Sequence, residues 1–487
     1  MATGTESSNP QSYELEVLTI VNNEGEGFDI RDLMIECSIF ESINRNFLLG
    51  ELIIGDAIAL MENAKLFGQE SLRIRFKQPA GVNDETDEED LIDQIFRIYK
   101  ITGVKRINET TQAYKLSFCS PGHIESKRTR ISQAFRGSMT DIAAQIAEDH
   151  LGIANEVKDK KLESYFEVRE KSQGDNYHVL IPNWTVGYAM NYLCASAQGI
   201  DSTSGLQDSF FFYQTANGGY RIQSLASMME QDYAGGRPFV YSEAAREKDP
   251  NVPADSTNPD KLGMSRRILN FEVQSAANVL EGTMEGLFGS KQTTVDNTYQ
   301  FYVEKTYSFL EKFFSGEKQA MHCHPFVRTQ PEILHIGTAA DEGDVNIIGS
   351  VEGKGIGAYP NAHSILTSDS SFVNDSTDKI HQPNHYTHLG SSQFRAAAKQ
   401  LLDYYTMNLI LATRTDISVG QVINLDIPAA RAGEGVVEPK FYNGGHLITE
   451  LRWTLRGDHC NLNVKCIKDS VLNNIETTEI EYGETIK

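Results

Sequence analysis

Histidines, cysteines and carboxylates are the side chains here with the most chemical reach, and their spacing decides what they could do. His322, Cys323 and His324 offer soft ligands, but alternate residues of a strand share a side, so only His322 and His324 would converge. A metal there would still need a third and a fourth ligand from elsewhere. His381, His385 and His388 imitate an H-x-x-x-H helical pair, yet Pro383 breaks the helix such a pair requires. No Glu follows His381 as the zincin base does. Both groups read as ordinary loop. Gly349–Tyr359 (GSVEGKGIGAY) has the look of a phosphate loop, but Gly, not Ser or Thr, follows Lys354 and no strand–loop–helix context frames it. Asp458, His459 and Cys460 are adjacent, and a nucleophile, its base and its orienter meet across a fold, not along one strand. Gly457-Asp458 reads instead as a hairpin turn. There is no G-x-S-x-G, and 67 carboxylates make an accidental acidic pair uninformative about glycoside hydrolysis. The sequence therefore assigns no catalytic, cofactor-binding or metal-binding residue, and the expectation is a protein that is not an enzyme.

The chain has 487 residues, too many for one hydrophobic core, so three or four domains are expected. Hydrophobic content of 40% is that of a folded protein, and 23 Phe with 20 Tyr favour pleated, half-buried surfaces. A formal charge of -23 repels a phosphate backbone and disfavours a primary nucleic-acid-binding role. The acid excess is partly local, in Asn83–Asp93 and in the tail Ile475–Lys487, which read as solvated surface. The cysteines (Cys37, Cys119, Cys194, Cys323, Cys460, Cys466) are scattered, mostly inside apolar patterns where a thiol is a small hydrophobe. Without a CxxC, neither a zinc ribbon nor a disulfide scaffold is indicated. The polar N-terminus lacks the secretory signature and no run approaches the apolar length of a membrane span, so assembly in a cytoplasm is expected.

Period-two alternation marks the first strands. Tyr13, Leu15 and Val17 oppose Glu14 and Glu16; Leu33, Ile35, Cys37 and Ile39 are expected on one face; residues 50–54, 71–77, 95–101 and 113–119 follow the same pattern. That spacing is that of an antiparallel barrel or sandwich. Ser138 with Asp141 forms a capping box ahead of Ile142, Ile146 and Leu151, and Gly152 stops that helix. A second helix runs through Met190, Leu193 and Ala197, and a hairpin joins Phe210–Gln214 to Tyr220–Leu225 across Asn217-Gly218-Gly219. Lys248–Gly263 reads as a linker. Strands return at Ile268–Val273 and Tyr299–Tyr307, then residues 315–388 lack periodicity and read as an irregular insertion. Gln393–Tyr405 is a helix with Phe394, Ala397, Leu401 and Tyr404 in one stripe. Strands close the chain at Leu409–Thr413, Val422–Ile427, Leu447–Leu455 and Leu462–Ile467, with Leu447, Leu451, Trp453 and Leu455 expected to share a face.

The order of elements resembles the baseplate hub family of contractile-tailed bacteriophages and its relatives in type VI secretion spikes. Ile35–Asp56 (IECSIFESINRNFLLGELIIGD) is similar to the family's opening I-x-E-S strand, turn and G-x-I-x-x-x-D strand, and Ala64–Phe76 to its G-x-E-x-L-x-I-x-F strand. Leu280–Asp296 looks like the glycine-bearing turn opening the second barrel, Ile417–Ile427 like a G-x-x-I-x-L strand, and Gly444–Asp469 like the closing hairpin. The resemblance implies a mainly β chain with α+β insertions and two tube-like antiparallel β-barrel domains. Residues 1–130 would form the first barrel, 131–261 a small α/β domain with linker, and 262–312 with 389–470 the second barrel. Residues 313–388 would be an irregular insertion and 471–487 an acidic tail. It implies a homotrimer presenting a pseudo-six-fold ring between the tail tube protein and the spike protein in a virion. Tape-measure and baseplate wedge proteins would be further partners. A hub with cell-wall-degrading activity, and a hub of a type VI or phage-derived injection system, are the alternatives.

Overall fold

The structure is a computed structural model. It describes residues 11–78, 91–152, 166–172, 177–199, 209–217, 219–234, 236–241, 266–275, 278–296, 301–308, 324–325, 362–367, 385–428 and 441–471. The chain is mainly β, as the sequence indicates. Its first strands are β1 (Glu14–Val21), β2 (Gly27–Asp29), β3 (Met34–Ser42), β4 (Leu49–Asp56), β5 (Ser71–Lys77), β6 (Ile92–Arg106) and β7 (Gln112–Cys119). They form an all-antiparallel array in the order β2-β1-β5-β6-β7-β4-β3. Alternation sets this sheet, since every second residue is apolar and must leave water: Leu72, Ile74 and Phe76 of β5 are fully buried while Arg73 and Arg75 stay outside. On that outer layer Lys77 meets Glu16 at 2.8 Å, Arg75 meets Glu16 at 2.7 Å and Arg73 meets Asp93 at 2.7 Å.

Among the described residues of this first module no ladder joins β1 to β3. The sheet curls until β1 nears β3, and the turn Arg31–Leu33 spans the seam, with Ile30 N–H donating to Leu18 O at 2.9 Å. The Gln11 carbonyl accepts from Cys460 N–H at 2.7 Å, and the Tyr13 hydroxyl donates to Gly457 O at 2.9 Å.

The middle of the chain follows its local signals. The Ser138 hydroxyl accepts from Asp141 N–H at 3.1 Å, the helix Met139–Leu151 follows, and Gly152 ends it in the left-handed region at φ 66°. Strands β8 (Arg130–Gly137) and β10 (Tyr177–Thr185) form a two-stranded ribbon, while β9 (Phe166–Val168), β12 (Tyr220–Ser224) and β11 (Phe210–Gln214) form a small sheet. With the helices Pro121–Arg128 and Val186–Ser196 they enclose a separate core around Ile142, Ile146, Met190 and Leu193.

The second module is a closed six-stranded ring. Strands β13 (Phe239–Tyr241), β14 (Arg267–Ser275), β19 (Thr406–Leu411), β22 (His459–Ile467), β21 (Gly444–Arg456) and β20 (Val422–Asp426) pair in that order, and β20 returns to β13. Closure gives each strand of the ring a partner on both sides. Its pairing departs from the expected antiparallel pattern at one strand alone among those described: β13 runs parallel to both neighbours, because the chain enters the ring there, leaves it, and re-enters in the same direction. The strand expected near 299–307 is present as β16 (Phe301–Ser308), but outside the ring. With β15 (Gly289–Asp296) and β18 (Ala362–Thr367) it makes a three-stranded sheet, so Leu280–Asp296 does not open the second barrel. It supplies a helix, Val279–Glu285, and then β15. The helix His385–Tyr404 buries Ala397, Leu401 and Tyr404 as the stripe predicts. A last pairing joins β17 (His324–Pro325) to β23 (Ser470–Val471).

One row of side chains runs across both modules. Leu411, Leu462, Trp453, Ile39, Gly50, Phe118 and Ile98 are successive ladder partners. Gly50 is required by that row, since a Cβ there would overlap the Phe118 ring and come within 2.7 Å of the Ser38 carbonyl. Gly50→Ala is therefore expected to displace Phe118 and to destabilise the fold by about 1–3 kcal/mol. A denaturant midpoint unchanged from the parent would refute that packing.

Candidate assembly site at a divided strand edge

A strand offers one row of donors and acceptors per edge, so two sheets can use the same edge only on consecutive stretches. The 13-residue β21 does this. One edge is taken by β22 from Leu447 to Arg456. On the other, Gly444 to Leu447 pair with β20, and Glu450 to Leu455 pair with β3, with Glu450 opposite Ser42 and Leu455 opposite Cys37. The handover falls at a bulge between Ile448 and Glu450. A bulge adds a residue and bends the strand, which lets one edge diverge toward two sheets. The groups at the split are satisfied locally: Thr449 O accepts from Ile43 N–H at 3.0 Å, and Ile448 exchanges bonds of 2.9 Å with Gly420 and Gln421.

Glu41 occupies the gap where the sheets part. Its carboxylate accepts from Ala216 N–H, in the turn of the β11–β12 hairpin, and from Val419 N–H at 3.1 Å, in the turn before β20. One side chain of the first module thus holds both the α/β unit and the second module. Neighbouring bonds reinforce the clasp: Gln94 Nε2 donates to Ala216 O at 2.8 Å, Gln214 Oε1 accepts from Leu48 N–H at 3.2 Å, and Gln231 Nε2 donates to Gly420 O at 3.1 Å. Gly420 sits at φ 79° under the Tyr213 hydroxyl, a place only glycine fits. Glu41 is 3% exposed. Burial raises its carboxyl to about 7, against the lowering effect of the Ala216 and Val419 amides and of Arg221.

The outer side of the joint is polar. Arg452 donates to Ser38 Oγ at 3.0 Å, lies 3.7 Å from Glu36 and stacks 5.1 Å from the Phe40 ring centre. On the core side, Trp453 is fully buried and its indole N–H donates to Arg414 O at 3.2 Å.

Only some members of the chemical groupings weighed in the sequence fall among the described residues. Gly457 and Asp458 form the β21–β22 hairpin turn, His459 is exposed and Cys460 is buried, its thiol pushed up to about 12 by burial. Cys37, Cys119, Cys194, Cys460 and Cys466 are buried free thiols. His324 begins β17, and His385 and His388 lie in a helix that starts two residues after Pro383. His322, Cys323, His381 and Gly349–Tyr359 lie outside the described residues. Among the described residues no group of three or more His, Cys, Asp or Glu could hold a metal, and no helix is long and apolar enough to cross a membrane. The residue the sequence reading passed over is Glu41, although it lies in phase with Cys37 and Ile39. An acid at a core-facing position of a strand is the signal that marks it.

No protein-family model matches the chain, and no curated protein matches it. Among solved structures it is similar to the tail protein from Neisseria meningitidis MC58, at 10% identity and a TM-score of 0.47, over 94% of this chain and 97% of that one. It is similar to the 43 kDa tail protein of prophage MuSo2 from Shewanella oneidensis, at 8% identity and a TM-score of 0.48, over 93% and 98% of the two chains. A type VI secretion component from E. coli, described as structurally similar to T4 bacteriophage tail proteins, matches at 8% identity and a TM-score of 0.40, over 94% of this chain and 77% of that one.

Because the Glu41 carboxyl rises from an ordinary 4.5 to about 7 on folding, the folded chain keeps a proton that the unfolded chain has released between those values. Its contribution to stability is complete below pH 4.5 and is lost as pH climbs to 7. Glu41→Gln mimics the protonated form, so its denaturant midpoint is expected to fall less steeply than the parent's over that interval. Parallel profiles would remove Glu41 from this role. Glu41→Ala orphans two buried N–H groups and is expected to cost about 2–6 kcal/mol.

Proposed function

We propose that this chain is a structural hub of a contractile phage tail. Three copies would close into a ring of six β modules joining the six-fold tail tube to the three-fold central spike. The observation that carries the reading is the shared edge of β21, which fixes two β modules side by side within one chain. A cyclic trimer of such chains presents six modules about one axis, so a threefold object can meet a sixfold partner on one face and a threefold partner on the other. The tail tube protein and the spike protein are the partners this implies, with tape-measure and wedge proteins beyond them.

Each copy brings a formal charge of -23. Acidic surface facing the bore would let DNA pass without adhering, since like charge repels the phosphate backbone. The role is one of assembly and not of catalysis.

Electron cryomicroscopy of the purified protein with tail-tube protein tests the reading. A threefold particle with six β modules around an acidic bore is expected, and no clearing on a peptidoglycan zymogram. A stable monomer that ignores tail-tube protein, or modules turned away from a common axis, would overturn it.

A further inference from the structure

The β8–β10 ribbon packs one face on the core of the α/β unit, through Ile131, Phe135, Val179 and Ile181, and leaves the other uncovered. The uncovered face is apolar at its centre. Leu180, 64% exposed, lies opposite Ala134, and Pro182 lies opposite Ser132, all of them exposed. Basic side chains mark its ends: Arg130 is exposed opposite Thr185, and Arg136 is exposed opposite His178. Lys127 and Arg128 stand exposed just before β8, with Arg128 3.8 Å from Glu125.

Charge singles this surface out. Acids outnumber bases 67 to 44 in the chain, yet neither 126–137 nor 177–196 contains an Asp or Glu. The ribbon is also held firmly. A bulge between Pro182 and Trp184, with Asn183 in the left-handed region at φ 55°, turns the strand so that Trp184 packs edge-on against Tyr188 at 4.9 Å and Tyr192 at 4.8 Å. A fixed, two-stranded, apolar strip with cationic ends suits an extended chain that alternates apolar and acidic residues. Apolar side chains of such a segment would lie on Leu180 and Pro182, and a carboxylate at its end would meet Arg130.

We propose that the outer face of the β8–β10 ribbon docks an extended acidic segment of a partner protein. Single-stranded nucleic acid also favours cationic strips, but the net charge of -23 opposes it here. The proposal concerns one chain and is independent of ring formation.

Fluorescence anisotropy with a fluorescein-labelled peptide of alternating Glu and Leu tests it, using the full-length protein in whatever oligomer it forms. Saturable binding that weakens with salt is expected, with little binding of a Lys/Leu peptide. Leu180→Asp and Arg130→Glu should each weaken binding about tenfold, as loss of a principal interface contact does. Met284→Asp, at a remote residue 68% exposed, should leave binding unchanged. Both strip positions are on the surface, and unaltered unfolding midpoints would show that the variants fold. Absence of binding, equal losses at Met284, or preferential capture of oligo-dT by the same residues would each overturn the proposal.

Discussion

A backbone hydrogen bond can be made once, and the architecture follows from how β21 distributes its own. Its second edge serves β20 and then β3, so the closed ring and the curled sheet become one continuous surface without a linker between them. An ordinary domain boundary is a mobile stretch with few crossing contacts. Here the boundary is a run of ladder bonds with Trp453 and Ile39 facing each other across it, and a single apolar core extends through both modules. Rigidity between the modules is thus built into the sheet.

Dividing an edge leaves polar groups stranded where the two sheets separate, and the sequence spends its unusual residues there. Glu41 gathers two amides, the Gly420 turn inserts beneath Tyr213, and Thr449 turns its carbonyl to Ile43. Buried polar groups are costly chiefly when unpaired, so a side chain that accepts hydrogen bonds in this gap is cheaper than an apolar one would be. The same clasp binds the α/β unit, so all three parts of the chain meet around one carboxyl group.

Much of the fold is legible in the sequence because its signals are local. Period-two alternation marks β5 and β7, the Ser138 box marks a helix, and the Asn217 turn marks a hairpin. What fails is phase. Ile35 was expected on the face of Cys37 and Ile39 but is 42% exposed, because the irregularity between Met34 and Glu36 shifts the alternation. Likewise the bulge after Ile448 places Ile448, not Leu447, in line with Leu451 and Trp453. A bulge depends on the register against a partner strand, and the alternation within one strand does not encode it. The ring membership of β13, three residues long, was equally invisible, and so was the site itself, since the joint exists only when residues 37–42 meet 450–455.

That distance has a bearing on synthesis. The first module can form as soon as β7 has left the ribosome, whereas the partner of β3 is made roughly 330 residues later, about 17–66 s at ordinary elongation rates. Throughout that interval β3 is a sheet margin awaiting its mate, open to pairing with nascent chains nearby. Its flank carries Glu36, Glu41 and Ser42 among the apolar residues, a composition that discourages such premature adhesion until the C-terminal hairpin arrives.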